Sequence, residues 1–373
     1  MTDKQQHIKV IVSGGGTGGH IFPALSIANE IKNRFPQADI LFVGAKGRME
    51  MEKIPANGYP IEGLWISGIN RTKMWKNITF PFKLVSSILK AKRLVRKFKP
   101  DFVIGTGGFA SGPILYAAQQ KGIPTFIQEQ NSYPGITNKL LAKKATKIYT
   151  AYEGLERFFA ADKIQLTGNP IRKELYNVSV DKQKALTGFG LQPDKKTVLS
   201  LGGSLGARPV NEAIAQIVDR MKANDFQLIW QTGKNEYEKY KHYNSDQVKV
   251  VPFIHKMQDA YAAADLIISR AGAGTISELS LIGKPVILVP SPYVAEDHQT
   301  KNAQALADKN AAVLIKEKDL NAQLWTKVHQ ILSDEELSNE LGKKIKELAK
   351  PEATKEIVAD ILAEVLGVKS KEI

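Results

Sequence analysis

At 373 residues the chain exceeds what one hydrophobic core usually serves, so two domains are expected. It has no cysteine, which excludes disulfides and thiolate metal sites and fits a reducing compartment. The net charge of +14 is uneven: residues 1–165 hold 24 Lys and Arg against 11 Asp and Glu, and residues 166–373 hold 28 against 27. A basic half beside a neutral half predicts an acidic partner for the first half, anionic lipid or nucleic acid. The start, MTDKQQHIKVIVSGGG, shows no charged-then-apolar stretch with a cleavage site, so no secretory signal is expected, and no run of about 18 apolar residues exists to span a bilayer.

Taken in order, Ile8–Ser13 is an apolar strand, Gly14–His20 a Gly-rich turn, and Pro23–Arg34 a helix. The spacing Gly14-x-Gly16-x-x-Gly19 matches a dinucleotide fingerprint. That motif needs an acid at the end of the second strand to hold a ribose. The second strand, Asp39–Val43, ends in Gly44-Ala45-Lys46, so the acid is missing and NAD is not expected. No GxxxxGK[ST] occurs, which argues against a P-loop.

The stretch 63–100 has ten Lys and Arg and no acid, interleaved with Trp65, Trp75, Ile78, Phe80, Phe82 and further bulky apolar residues. Rings that enter a headgroup layer beside cations that meet lipid phosphates form an interfacial element. Trp75, Ile78, Phe80 and Phe82 are the predicted membrane contacts, and about Phe82–Phe98 is predicted as a helix with a core face. No nucleic-acid recognition motif accompanies the charge, so nucleic acid is not expected as a partner.

Phe102–Ile104 is a buried strand, followed by a second Gly turn, Gly105-Thr106-Gly107-Gly108 to Pro113, that opens a helix. Thr125–Gln128 is a strand leading into Glu129-Gln130-Asn131. A Gly/Pro break at Gly168–Arg172 begins a linker running to about Lys196. The design then restarts: VLSLGGSLGAR at 198–208 parallels VIVSGGGTGGH at 10–20. Two doubly wound α/β domains follow, with an active-site cleft expected between their strand ends. The expected boundaries are 1–167 and 168–352, with a C-terminal helix within 353–373 packing back on the first domain.

The most informative stretch is 269–303, SRAGAGTISELSLIGKPVILVPSPYVAEDHQTKNA. Gly272 and Gly274 allow a tight turn, Thr275 and Ser277 are predicted to cap the next helix, and its first N–H groups form an anion site. Glu278, one turn in, is placed to accept hydrogen bonds from sugar hydroxyls. This βαβ unit therefore offers donors for a diphosphate and an acid for a ribose.

The ordered set GGGTGGHIFP, GTGGFASGP, EQNSYPGITNK, GNPIR, GGSLGA, AGAGTISE and HQTKNA resembles the MurG family of bacterial peptidoglycan glycosyltransferases almost end to end. The resemblance implies a GT-B fold, UDP-N-acetylglucosamine as donor, and lipid I as acceptor, giving lipid II. It implies an acceptor and membrane role for the first domain and a donor role for the second. It places Thr17, Gly18 and Gly19 near the donor sugar and acceptor diphosphate, with Gly107, Gly108 and Ser111 toward that diphosphate. It places Asn131 at the donor sugar and Arg172 and Ser204 near the nucleotide and its phosphates. Ile254 matches a residue whose backbone meets uracil. Ala273, Gly274, Thr275, Ile276, Ser277 and Glu278 match the phosphate and ribose motif, and Gln299 a contact to the N-acetylglucosamine hydroxyls.

An α-linked donor and a β-linked product imply one inverting displacement, which needs a base for the acceptor 4-hydroxyl. His20 is the candidate, since imidazole titrates near neutrality. No Asp-x-Asp pair is present, so no metal or cofactor is expected, and helix N-termini would meet the leaving charge. A lipid such as diacylglycerol as acceptor, a non-catalytic binding module, and a sugar-nucleotide epimerase are the alternatives. The second and third Gly turns with EQN argue against the first. The basic apolar stretch and the separate Gly turns argue against the other two. The expected place is the cytoplasmic face of the bacterial inner membrane, as a peripheral protein.

Overall fold

Short Val/Ile-rich runs alternate with amphipathic stretches. This alternation builds two parallel sheets in the computed structural model, which describes residues 7–69, 74–171, 180–203 and 206–367. Residues 1–172 with 350–373 form one unit, and residues 173–349 form the other.

The first unit runs β1 (Lys9–Ser13), α1 (Gly18–Arg34), β2 (Asp39–Ala45), α2 (Glu50–Ala56), β3 (Ile61–Leu64), α3 (Phe80–Phe98), β4 (Phe102–Gly105), α4 (Ser111–Gln119), β5 (Thr125–Glu129), α5 (Ile136–Ala142), β6 (Lys147–Thr150) and β7 (Ile164–Leu166). Its strand order is β3-β2-β1-β4-β5-β6-β7. The chain starts mid-sheet, winds outward one way, then returns past β1 and winds the other way. Residues Val10–Ser13 are wholly buried between two cores. One core packs α1 on the sheet, and the other packs α3, α4 and α5 on the opposite face.

The second unit runs α6 (Lys182–Gly188), β8 (Thr197–Leu201), α7 (Arg208–Ala223), β9 (Gln227–Gln231), α8 (Tyr237–Tyr240), β10 (Val248–Val251), α9 (Met257–Ala263), β11 (Leu266–Ser269), α10 (Ala273–Ile282), β12 (Val286–Leu288), α11 (His298–Ala307), β13 (Val313–Leu314), α12 (Leu320–Ser333) and α13 (Glu335–Glu347). Its order, β10-β9-β8-β11-β12-β13, repeats the doubly wound pattern. The stretch read as linker up to Lys196 contains α6, which buries Ala185 and Leu186 and packs on α9. The last helix, α14 (Ala353–Leu366), lies in the first unit and buries Ile357, Val358, Ile361 and Leu362 in the α1 core. Asp360 on α14 accepts hydrogen bonds from Lys147 Nζ at 2.9 Å and Tyr149 Oη at 2.8 Å, which latches the helix to β6.

Register decides where the turns fall. Ser13 stands opposite Gly105, so the Gly14 and Thr106 turns leave adjacent strands side by side. Leu201 stands opposite Gln231 and Ser269, which sets the Gly202 turn between the 232 and 270 segments. In each sheet these are the switch points where a doubly wound fold binds ligands.

Candidate active site

In the first unit the two Gly turns interlock. A Cβ on Gly108 would lie 2.3 Å from the Gly15 carbonyl oxygen, and Gly108 holds φ +82°, a left-handed conformation that disfavours side chains. Thr106 Oγ1 donates to the His20 carbonyl at 2.7 Å. The His20 ring sits against the second turn, with Nε2 3.0 Å from the Cβ position that Gly107 leaves empty. Its Nδ1 is 3.1 Å from Thr17 Oγ1. Gly18 and Gly19 open α1, whose start at Thr17 precedes the expected Pro23. Ser111 Oγ donates back to the Gly108 carbonyl at 2.9 Å and is buried, so its hydroxyl braces the turn.

Beyond β5 a buried carboxylate organises the next loop. Glu129 accepts hydrogen bonds from Asn131 N at 3.0 Å, Asn131 Nδ2 at 3.2 Å, Gly135 N at 3.2 Å and Asn138 Nδ2 at 2.8 Å. Burial pushes its carboxyl above the usual range, against the pull of these bonds. Gln130 Nε2 donates to the Thr106 carbonyl at 2.6 Å, tying this loop to the second Gly turn. Asn131, half-buried at the loop's start, is thereby fixed relative to His20.

In the second unit the anion site takes a form that differs from the expected cap. The N-cap of α10 is Gly272, with no side-chain cap; Thr275 and Ser277 lie inside the helix. Ser277 Oγ donates to the Ala273 carbonyl at 3.1 Å, a back-bond one turn away. Neither Gly272 nor Gly274 needs positive φ, and a Cβ on Gly274 would meet nothing within 4 Å. Their smallness leaves the first turn of α10, where backbone N–H groups and the dipole favour an anion, open to close approach. Glu278 Oε2 accepts from Tyr261 Oη at 3.3 Å, so Tyr261 orients the candidate ribose acid. Ile276 is buried in the same helix.

Several further residues complete this edge. Ile254 N donates to Gln231 Oε1 at 2.9 Å, and Gln231 Nε2 donates to the Gly203 carbonyl at 3.1 Å. Gln231 therefore ties the Gly turn after β8 to the uracil-site candidate. Gln299 Oε1 accepts from Ser291 N at 2.9 Å. Just before it, Glu296 and Asp297 hold left-handed φ of +58° and +50°, which turn the chain into α11. Arg270 pairs with Glu317 and donates to the Val289 carbonyl, holding the 270 turn to the ends of neighbouring segments. Arg172 and Ser204 lie outside the described residues.

The local sequence carried no signal for Thr106, Gln231 or Tyr261, because their partners lie in other strands and loops. Glu129 stood in a noted motif, but only its enclosure reveals its role.

On α3 the apolar positions divide. Phe82, Val85 and Leu89 face outward, with Phe82 70% exposed. Trp75 and Ile78, before the helix, are 65% and 72% exposed. Phe80 differs from the expectation: it is half-buried against the α3–α4–α5 core, because the helix begins there and turns it inward. The outward stripe continues into exposed Lys92, Arg93 and Arg96.

Two doubly wound units of this topology define the GT-B class of glycosyltransferases. Family models of the glycosyltransferase family 28 N-terminal and C-terminal domains match residues 10–150 and 197–357. A curated relative from Flavobacterium psychrophilum, named UDP-N-acetylglucosamine–N-acetylmuramyl-(pentapeptide) pyrophosphoryl-undecaprenol N-acetylglucosamine transferase, is 54% identical over 98% of this chain and 100% of its own length. A relative of the same name from Cytophaga hutchinsonii is 53% identical over 95% of this chain and 96% of its own. The crystal structure of MurG from Acinetobacter baumannii is 29% identical, with a TM-score of 0.76 over 96% of this chain and 99% of that one. The chain belongs to the MurG family of family 28 glycosyltransferases.

The open first turn of α10 yields a prediction that separates fold from ligand. Gly274→Ala is expected to keep or raise stability, by up to about 1 kcal/mol from helix propensity, because the new methyl meets no protein atom. The same methyl intrudes where an anion would approach, so UDP affinity is expected to fall. Thermal unfolding with calorimetric titration of UDP measures both; a variant that is stable and binds UDP like the parent removes the anion site from this turn.

Proposed function

We infer that the chain is an inverting transferase that moves N-acetylglucosamine from UDP-N-acetylglucosamine to the 4-hydroxyl of the muramyl sugar of lipid I, giving lipid II. The observation that carries this reading is its end-to-end identity of 54% with a transferase so named. Assay of sugar transfer from UDP-N-acetylglucosamine to a lipid I analogue tests it; absence of the disaccharide product would overturn it.

The chemistry is a single displacement. The acceptor oxygen forms a bond to the anomeric carbon as the bond to the diphosphate oxygen breaks. The electron pair leaves with UDP, and the hydroxyl proton goes to a base. The donor diphosphate sits at the uncapped start of α10, where backbone N–H groups meet the charge that develops on the leaving oxygen. Glu278 takes the ribose hydroxyls. Asn131, Gln299 and the Thr17–Gly19 segment address the donor sugar, and Ile254 meets the base through its backbone. The acceptor diphosphate lies toward Gly107 and Gly108. His20 takes the proton. That role needs Nδ1–H donating to Thr17 Oγ1, which leaves Nε2 as the accepting nitrogen, on the side of the second Gly turn.

The acceptor's polyprenyl chain stays in a bilayer, so the enzyme docks there. The exposed Trp75, Ile78, Phe82, Val85 and Leu89 with the cations further along α3 support peripheral attachment at the cytoplasmic face of the inner membrane. Among the described residues no helix is long and apolar enough to cross a membrane.

Three outcomes test the assignments. Glu278→Ala is expected to weaken UDP binding about tenfold or more, since losing a charged acceptor costs on the order of 1.5–3 kcal/mol; unchanged affinity in calorimetry would sink the ribose role. His20→Ala is expected to lose turnover by roughly a hundredfold or more while still binding UDP; activity within a few-fold of the parent from pH 6 to about pH 9 would put the base elsewhere. Trp75→Ser with Phe82→Ser is expected to abolish salt-sensitive binding to anionic vesicles and impair transfer to a membrane-held acceptor, while sparing a soluble short-chain analogue. Equal loss on both acceptors would mean that this face is not the docking surface.

A further inference from the structure

The first Gly turn is filled from inside the protein. Glu50, the first residue of α2, is fully buried, and its two carboxylate oxygens go to different strands' ends. Oε2 accepts the Gly16 N–H at 3.0 Å, and Oε1 accepts the Ala45 N–H at 3.0 Å. Two glycines clear the space for it. A Cβ on Gly15 would lie 2.2 Å from Glu50 Oε1, and a Cβ on Gly44 would lie 2.6 Å from Glu50 Cγ. Gly16 itself holds φ +86°.

A Gly turn between a strand and a helix ordinarily keeps its backbone N–H groups and its lack of side chains for a phosphate. Here an anion already takes that place, and it belongs to the chain. The acid that a dinucleotide site would present from the end of β2 to a ribose is absent. The acid that follows, five residues past Ala45, points instead into the turn.

We propose that Glu50 is a positioning residue whose carboxylate occupies the anion seat at Gly14–Gly16. That seat therefore takes no phosphate from either substrate, and the filled turn sets the entry into α1 that carries Thr17 and His20. Thr17 follows Gly16 directly, so the bond to Gly16 N–H fixes the strand's exit, and the Thr106 bond to the His20 carbonyl fixes the next turn. Glu50 touches no reacting atom; it acts through the backbone that holds His20.

The kinetic part of this proposal rests on the transfer reaction proposed above; the seat itself does not. The test uses the full chain with Glu50→Gln and Glu50→Ala beside the parent. Glu50→Gln keeps the volume but sets an amide N–H against a backbone N–H. Its kcat is expected to fall on the order of tenfold or more, while KM for UDP-N-acetylglucosamine stays within about two-fold. Glu50→Ala opens a seat lined by two unsatisfied N–H donors, which formate can refill. Formate is expected to raise the unfolding temperature of Glu50→Ala and restore part of its kcat, compared with equal chloride, and to do neither for the parent or Glu50→Gln. If Glu50→Ala does not fold, formate-dependent refolding is the same comparison.

Equal response of parent and Glu50→Ala to formate, or no response in either, overturns the seat. A donor KM that rises in step with lost kcat in Glu50→Gln, or a kcat like the parent's, overturns the positioning role. A parent that transfers no sugar would sink the assigned reaction, while the unfolding comparison, which needs no substrate, would still judge the seat.

Discussion

Gly108 and Gly15 approach so closely that a methyl group at position 108 would overlap a carbonyl oxygen. Everything else in the first unit's site depends on that contact. It exists because β1 and β4 are neighbours across the switch point, so two turns 90-odd residues apart leave the sheet side by side. Once the turns touch, Thr106 reaches the His20 carbonyl and Gly107 gives room to the His20 ring. The imidazole is then held by its backbone on one turn and by Thr17 at Nδ1. A histidine on a lone Gly turn would have no such definition, and the base role proposed for His20 depends on that placement.

The two units use the same topology in opposite electrostatic ways. In the first, the turn after the leading strand has its Gly16 N–H engaged by Glu50, and the Ser13 and His20 carbonyls on either side of it engaged by Thr106. In the second, Gly206 packs on the Thr232 carbonyl, and Gln231 bridges Gly203 to Ile254. The opening is at α10 instead, where no side chain caps the helix and two small residues keep the approach clear. Donors already oriented by a helix cost no reorganisation when a leaving charge develops, which is the condition for strong electrostatic stabilisation. The first unit's Gly turns hold side chains, and the uncapped start of α10 offers the free backbone N–H groups on which the proposed diphosphate site rests.

The strands and Gly turns were legible because they are local: a four- or five-residue apolar run and a glycine spacing carry their own meaning. The helix α10 and the place of Glu278 one turn into it were legible for the same reason. What misled is also specific. Thr275 and Ser277 looked like caps by residue type, but the N-cap is Gly272, three and five residues earlier, and Ser277 bonds back to Ala273 instead. Phe80 and Phe82 looked alike as aromatic residues in a basic stretch. The helix places Phe80 with Leu84, Ala91 and Val95 on the inner face and Phe82 with Val85 and Leu89 on the outer one. The period of α3 separates them, and only its true start sets that period. Glu50, Thr106 and Gln231 were illegible in principle from a single chain, since each acts on a backbone group 23 to 86 residues away.

The same outward face explains where the basic excess goes. Part of it is neutralised within the fold, as Lys90 by Glu62 and Lys147 by Asp360 and Glu364. The exposed remainder on α3 is ordered along the helix, with apolar Phe82, Val85 and Leu89 toward its start and Lys92, Arg93 and Arg96 toward its end. Neither part suffices alone: a few partly inserted side chains give weak adhesion, and exposed cations are screened by salt at distances beyond about 8–10 Å. Together they make up the two signals that the proposed peripheral attachment needs. Reversibility suits an acceptor that diffuses in the bilayer and a donor that diffuses in water. An inserted span would tie an enzyme to one phase, whereas in the docking proposed above a single helix meets the lipid while the sheet behind it keeps both Gly turns in register.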